Sequence, residues 1–350
     1  MPSMGERAYV YAKSCGIIGK SFIGKRVAAL GSVSRLSELD RLLFPHAVQN
    51  LPERELLRDF EDRIIQQTVK QIISIVDSYA KPPELLVRLI RTYEYADLKV
   101  VLDALGSGEP HCPGFTDLGH FRTLKFEAYP DLAAMVGGTE FEFLLTENIQ
   151  SAKNADRMGL QMKLDGHYYR ALWKTLFALS RNDRLPIEKI LSEEIALRNV
   201  VWALRLRTYY GMSPDEVQKK LLFIKEIEKK KKKREEPAWA TDALTADAVA
   251  SLSMSLDTRS DWSGWKRESF LNPEKPDEHW KVDPRYFQNA ASEYLYRLAR
   301  VSFHLNPFSL DTSFCFIKLK QFEEDLLTSV AEGLGFGMSS RDVFTLLEVK

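Results

Sequence analysis

The stretch "ERELLRDFEDRIIQQTVKQIISIVDSYA", between Pro52 and Lys81, constrains the fold more than any other. Leu56, Leu57, Phe60, Ile64, Ile65, Val69, Ile72, Ile73 and Val76 recur at steps of three or four residues, with charged residues on the opposite face. That spacing places one apolar stripe along a helix of roughly six or seven turns. Pro82 and Pro83 end it and suit the start of the next helix. "PELLVRLIRTYEYADLKVVLDALG" then predicts one helix running to Gly106 as its terminating glycine. Residues 107–120 read as a loop, and helical pattern resumes over "FRTLKFEA" and "TEFEFLLTENIQSAKNADRMG". Further helices are predicted over 166–180, 186–211, 214–236, 284–305 and from "SFCFIKLKQFEEDLLTSVAEGLG". Strand alternation is nowhere sustained, so the chain reads as all-α.

The 350 residues, 45% hydrophobic, suffice for one large fold or for two or three compact units. Lys plus Arg and Asp plus Glu are both 49, a balance that argues against a dedicated nucleic-acid binder. Cys15, Cys112 and Cys315 are far apart and form no CxxC, which fits a reducing interior rather than a disulfide framework. The start lacks a signal-peptide pattern, and no apolar run approaches the ~18 residues of a membrane span. The expectation is a cytoplasmic protein.

"NVVWALRLRTYYGMSPDEV" (199–217) returns as "DLLTSVAEGLGFGMSSRDV" (325–343), without a gap. In each, a glycine (Gly211, Gly337) ends a helix and a serine (Ser213, Ser339) caps the next, with Glu216 or Asp342 three residues on. "YEYADLKVVLDALG" (93–106) is a fainter third copy, with Asp97 where the others have Asn199 and Asp325. Three copies at wide spacing suggest three helical units, with boundaries expected at 1–118, 119–236 and 237–350. On the middle copy, Arg198, Trp202, Arg205 and Tyr209 share a helical face, and Arg207 lies nearby. These five are the candidate partner-binding residues, because Arg, Trp and Tyr are favoured at interface hot spots. The competing reading is an intramolecular salt-bridge network, with Glu194 pairing Arg198 one turn away.

"LIRTYEYADLKVVLDAL", "EEIALRNVVWALRLRTYYGMSPDEV" and "YVYAKSCGIIGKSF" together resemble the rotary V-type ATPase component called C in bacteria and archaea and d in eukaryotes. The resemblance implies three similar helical subdomains around a pseudo-threefold axis, forming a funnel. It implies a non-catalytic central-stalk part, peripheral on the cytoplasmic face of the membrane, seated on the rotor ring. Its socket would receive the shaft subunits D and F and pass torque for ATP-linked ion transport. Asp97 and Asp325 depart from the family's usual Asn, and Ala331 and Gly333 replace Arg205 and Arg207 in the third copy.

Little else points to chemistry. "SCGIIGKS" (14–21) misses a phosphate-binding loop because Ser14 stands where glycine is required. The six histidines are scattered and show no metal-ligand spacing; no cofactor is expected. Glu193, Glu194, Glu323, Glu324 and Asp325 read as carboxylates in helical first halves, complementing the macrodipole. "KKKKKREE" (229–236) reads as a solvated helix end, with acidic lipid or protein surface as the alternative contact. Two other functions compete. One is a free-standing helical adaptor for partner helices. The other is an enzyme using Arg198, Arg205 and Glu194 on an anionic substrate; a deep pocket with a strongly shifted carboxylate would favour it.

Overall fold

The structure, a computed structural model, describes residues 2–46, 50–146, 157–224 and 242–347. The fold is all-α, with no β-strand among the described residues. The helices are α1 (Met4–Ile18), α2 (Val27–Leu30), α3 (Leu36–Leu43), α4 (Glu53–Val76), α5 (Glu84–Ile90), α6 (Thr92–Ser107), α7 (Leu132–Val136), α8 (Arg157–Thr175), α9 (Arg181–Tyr210), α10 (Pro214–Lys220), α11 (Ala246–Ser251), α12 (Pro284–Leu305), α13 (Leu310–Gly335) and α14 (Ser340–Leu347). None is long and apolar enough to cross a membrane.

The stripe of α4 faces the core as its spacing requires: Leu56, Phe60, Ile64, Val69, Ile72 and Val76 are buried. The residues of α13 from Leu310 to Lys320 are all buried. Apolar side chains surround that half of the helix, as expected of one that runs through the interior. Its two lysines inside the fold are both paired, Lys318 with Glu194 and Lys320 with Glu323.

Among the described residues, buried side chains form three cores. The central one joins α5, α6 and α8 to the first halves of α9 and α13 and the second half of α4. A second joins the C-terminal half of α9 to α10, α11, the first half of α12 and Trp262, Trp265 and Trp280. A third joins α2, α3 and the first half of α4 to the C-terminal half of α13 and to Val343 of α14. Thus α4, α9, α12 and α13 each run from the central core into an outer one.

Several element boundaries differ from expectation. The helix expected over 83–106 breaks at Arg91, and its left-handed cap is Gly108 (φ 72°) rather than Gly106, which stays helical. The α9 helix starts at Arg181, because Ser180 caps it by accepting from the Asp183 amide, and Pro186 lies within it. Between 119 and 146 only α7 and short 3-10 turns form instead of sustained helix. The α10 helix stops at Lys220, where Leu221 turns extended. The remainder of the helix expected to 236, the lysine run and Trp239 lie outside the described residues. Ser14 sits inside α1, so the 14–21 segment has no phosphate-cradling loop.

Candidate functional site

The second and third corners form as the sequence predicts. Gly211 and Gly337 adopt left-handed φ of 60° and 78°, a conformation that glycine enters without a Cβ penalty. Ser213 accepts from the Glu216 amide while Glu216 accepts from the Ser213 amide. Ser339 and Asp342 make the same reciprocal pair. The helices that end in these corners, α9 and α13, line an open cavity of about 970 Å³ together with α4, α6, α8 and α12. The alignment that pairs Asp97, Asn199 and Asp325 also pairs the residues before them, Ala96, Arg198 and Glu324. All three line this cavity, each from a different helix.

On the α9 wall, Glu194, Arg198, Trp202 and Arg205 face inward at helical steps. The Arg198 guanidinium lies over the Tyr169 ring, 5.0 Å from its centroid, and 3.9 Å from Asp165. Glu194 does not take Arg198 as its ion-pair partner. Its carboxylate binds Lys318 Nζ at 2.8 Å and accepts from the Tyr169 hydroxyl at 2.9 Å. Burial disfavours the Glu194 charge, but Lys318 and Arg198 outweigh it and hold the carboxyl below its usual range.

The α13 wall is acidic. Glu324 accepts from the Tyr93 hydroxyl at 2.8 Å, and burial pushes its carboxyl up to about 8. Asp325 is open to the solvent of the cavity, yet the surrounding walls displace enough water to push it up to about 6, against the pull of Arg198 and Lys318. Asp97, on the α6 wall, accepts from the Thr116 amide and hydroxyl at 2.9 and 3.1 Å, and burial raises it as well. Among the described residues, Arg58, Asp62, Arg205 and Asp325 line the cavity with no hydrogen bond or ion pair within the chain.

Of the five residues singled out in the sequence, Arg198, Trp202 and Arg205 lie together on the cavity wall. Tyr209 is on the same face but beyond the lining, exposed at the helix end. Arg207 is about 200° around the helix from Arg205. It donates to the Ser251 and Met254 carbonyls, each at 2.8 Å, and so ties α11 to α9. The sequence reading missed Glu324 and Asp325 as site residues. They lie mid-helix, beyond the first turn where the dipole acts, and so do Glu193 and Glu194. The match of Arg198 with Glu324 was the available signal.

One feature expected of an enzyme is present, since a deep cavity holds a strongly shifted carboxylate. The carboxylate that reading relies on is Glu194, however, and it is locked to Lys318 with its charge stabilised.

Residues 46–343 match the family described as ATP synthase (C/AC39) subunit. A protein of Treponema pallidum (strain Nichols), itself described only as uncharacterized, is 30% identical over 334 residues, covering 94% of this chain and 92% of the relative. The N-terminal "YVYAKSCGIIGKSF" lies outside the matched residues. This chain belongs to the ATP synthase (C/AC39) subunit family, which comprises the V-type ATPase component called C in bacteria and archaea and its eukaryotic counterpart d.

Proposed function

We propose that this protein is the socket of a V-type ATPase rotor, a non-catalytic central-stalk subunit with three similar helical units around its cavity. The socket seats the lower end of the D and F shaft and couples it to the membrane rotor ring, on the cytoplasmic face, for ATP-linked ion transport. The observation that carries this reading is the cavity itself, whose walls present charged side chains with no partner inside the chain. A helix about 10 Å across rises ~1.5 Å per residue, so about 970 Å³ accommodates roughly eight residues of a helical tip. Uncompensated charge in a partly dried concavity is costly, and an inserted polar helix supplies the missing partners.

The test is co-expression with the D and F subunits and ring subunits of the same organism, read by native mass spectrometry. One copy of this chain bound to D and F, or to a ring, is expected. Arg205→Glu should weaken the shaft complex, on the order of tenfold or more, with the helical circular dichroism spectrum unchanged. A well-folded chain that binds none of these subunits would sink the socket reading and leave the free-standing adaptor in front.

A further inference from the structure

The three wall positions matched by the repeat do not carry the same charge. Ala96 on α6 is neutral, Arg198 on α9 is positive and Glu324 on α13 is an acid, and all three reach one cavity. The difference extends along each wall. The α9 wall continues with Arg205, which has no partner in the chain, and the α13 wall continues with Asp325, which has none either. The third-copy residue matched to Arg205 is Ala331, which is buried, so α13 offers no cation there. The remaining α13 cation on the lining, Lys318, is committed to Glu194. A socket of three equal walls would accept an inserted tip in three equivalent orientations. Unequal charge removes that degeneracy, because turning the occupant by a third of a revolution brings like charges together, and like-charge contacts discriminate strongly between alternatives.

Resting on the socket reading above, we propose that this charge difference between walls fixes a single rotational register for the occupant. The segment that fits is a helical tip with a Lys or Arg facing Asp325 and an Asp or Glu facing Arg205. The α6 wall, where Ala96 and Val100 are apolar and the Asp97 carboxyl is already held by Thr116, takes its least charged side. Register selection of this kind depends on electrostatics rather than apolar area, so it weakens with salt. Specificity is built from the penalty on wrong orientations as much as from the gain in the right one.

The probe is the purified D–F complex with a benzophenone at one position of the shaft tip, photolysed with the full chain. Cross-linked peptides are then mapped by mass spectrometry. One register predicts label on one of the α6, α9 and α13 walls; comparable label on all three overturns the proposal. In parallel, titration calorimetry at ~50 mM salt compares wild type with Asp325→Asn and Arg205→Gln. Each substitution should weaken binding by about ten- to a hundredfold, with a smaller effect at high salt, and neither should lower the thermal midpoint. Unchanged affinity in both variants overturns the inference while leaving the socket intact. Failure of the wild type to bind the D–F complex removes the socket reading and this inference with it.

Discussion

Gly333 shows how a single residue sets the packing of the third corner. A Cβ placed there would lie 2.2 Å from Cγ2 of Val343, a buried residue of α14. The matched position of the second corner holds Arg207, which points away to bind α11 carbonyls. The loss of arginine in the third copy therefore has a packing cause: α14 folds back onto the space that the side chain would occupy. Gly333→Ala should destabilise the protein by roughly 1–3 kcal/mol in urea denaturation, the usual cost of overpacking. Gly5→Ala, in a helix where a Cβ meets nothing within 4 Å, should leave stability unchanged or slightly raised. Equal effects from the two substitutions would contradict this account.

At the scale of elements, the matched residues Asp97 and Asn199 do the same work. Each sits mid-helix and captures the backbone about twenty residues downstream. Asp97 accepts from the Thr116 amide. Asn199, fully buried, accepts from the Leu222 amide at 2.7 Å and donates to the Leu222 and Leu244 carbonyls, each at 3.1 Å. Asn199 thereby anchors both segments that flank residues 225–241 onto α9. Asn199→Leu fills similar space but leaves those buried backbone groups unpaired, at about 1–3 kcal/mol for each group that finds no water. We expect a total loss of roughly 2–4 kcal/mol, read by urea denaturation. Asp325, the third member, has no such partner and faces the cavity instead, which frees it for a different role.

For the whole molecule, the cavity makes folding stability depend on pH. The Glu324 carboxyl is pushed up to about 8, so the folded state holds its proton more tightly than the unfolded chain does. That contribution is fully present below pH ~4.3, the unfolded value, and is lost as pH rises towards 8. Asp325, raised to about 6, acts in the same direction. Asp183 opposes them. Burial disfavours its charge, but Arg7, the Leu310 amide and Ser180 outweigh that and hold it below its usual range. Its contribution is present above the unfolded value of about 3.9 and fades as pH falls. Stability should therefore decline between pH 5 and 8, and Glu324→Gln should flatten that slope. Urea midpoints at pH 5, 6, 7 and 8 for both proteins check this, and an identical slope in the variant would refute it.

The sequence by itself determined the helical class, the buried stripe of α4 and the grammar of the second and third corners. Each is a local property: periodicity places the apolar face, and a glycine followed closely by its capping box needs only its own neighbours. The first corner showed how far local reading reaches, since Gly106 and Gly108 both suit a cap and only the hydrogen bonds of the formed helix select Gly108. Similarly, Arg198, Trp202 and Arg205 were legible as one face, but not what that face looks onto. Arg207 and Tyr209 diverge from them for reasons of azimuth and helix length. The acidic wall of Glu324 and Asp325 had no local signature, because carboxylates on a helix look alike whether they meet water or a cavity. Only the packing of α4, α9 and α13 across more than one core brought those residues opposite Arg198 and Arg205. Contacts between residues more than a hundred positions apart are set by how helices pack, and that is where the candidate site comes from.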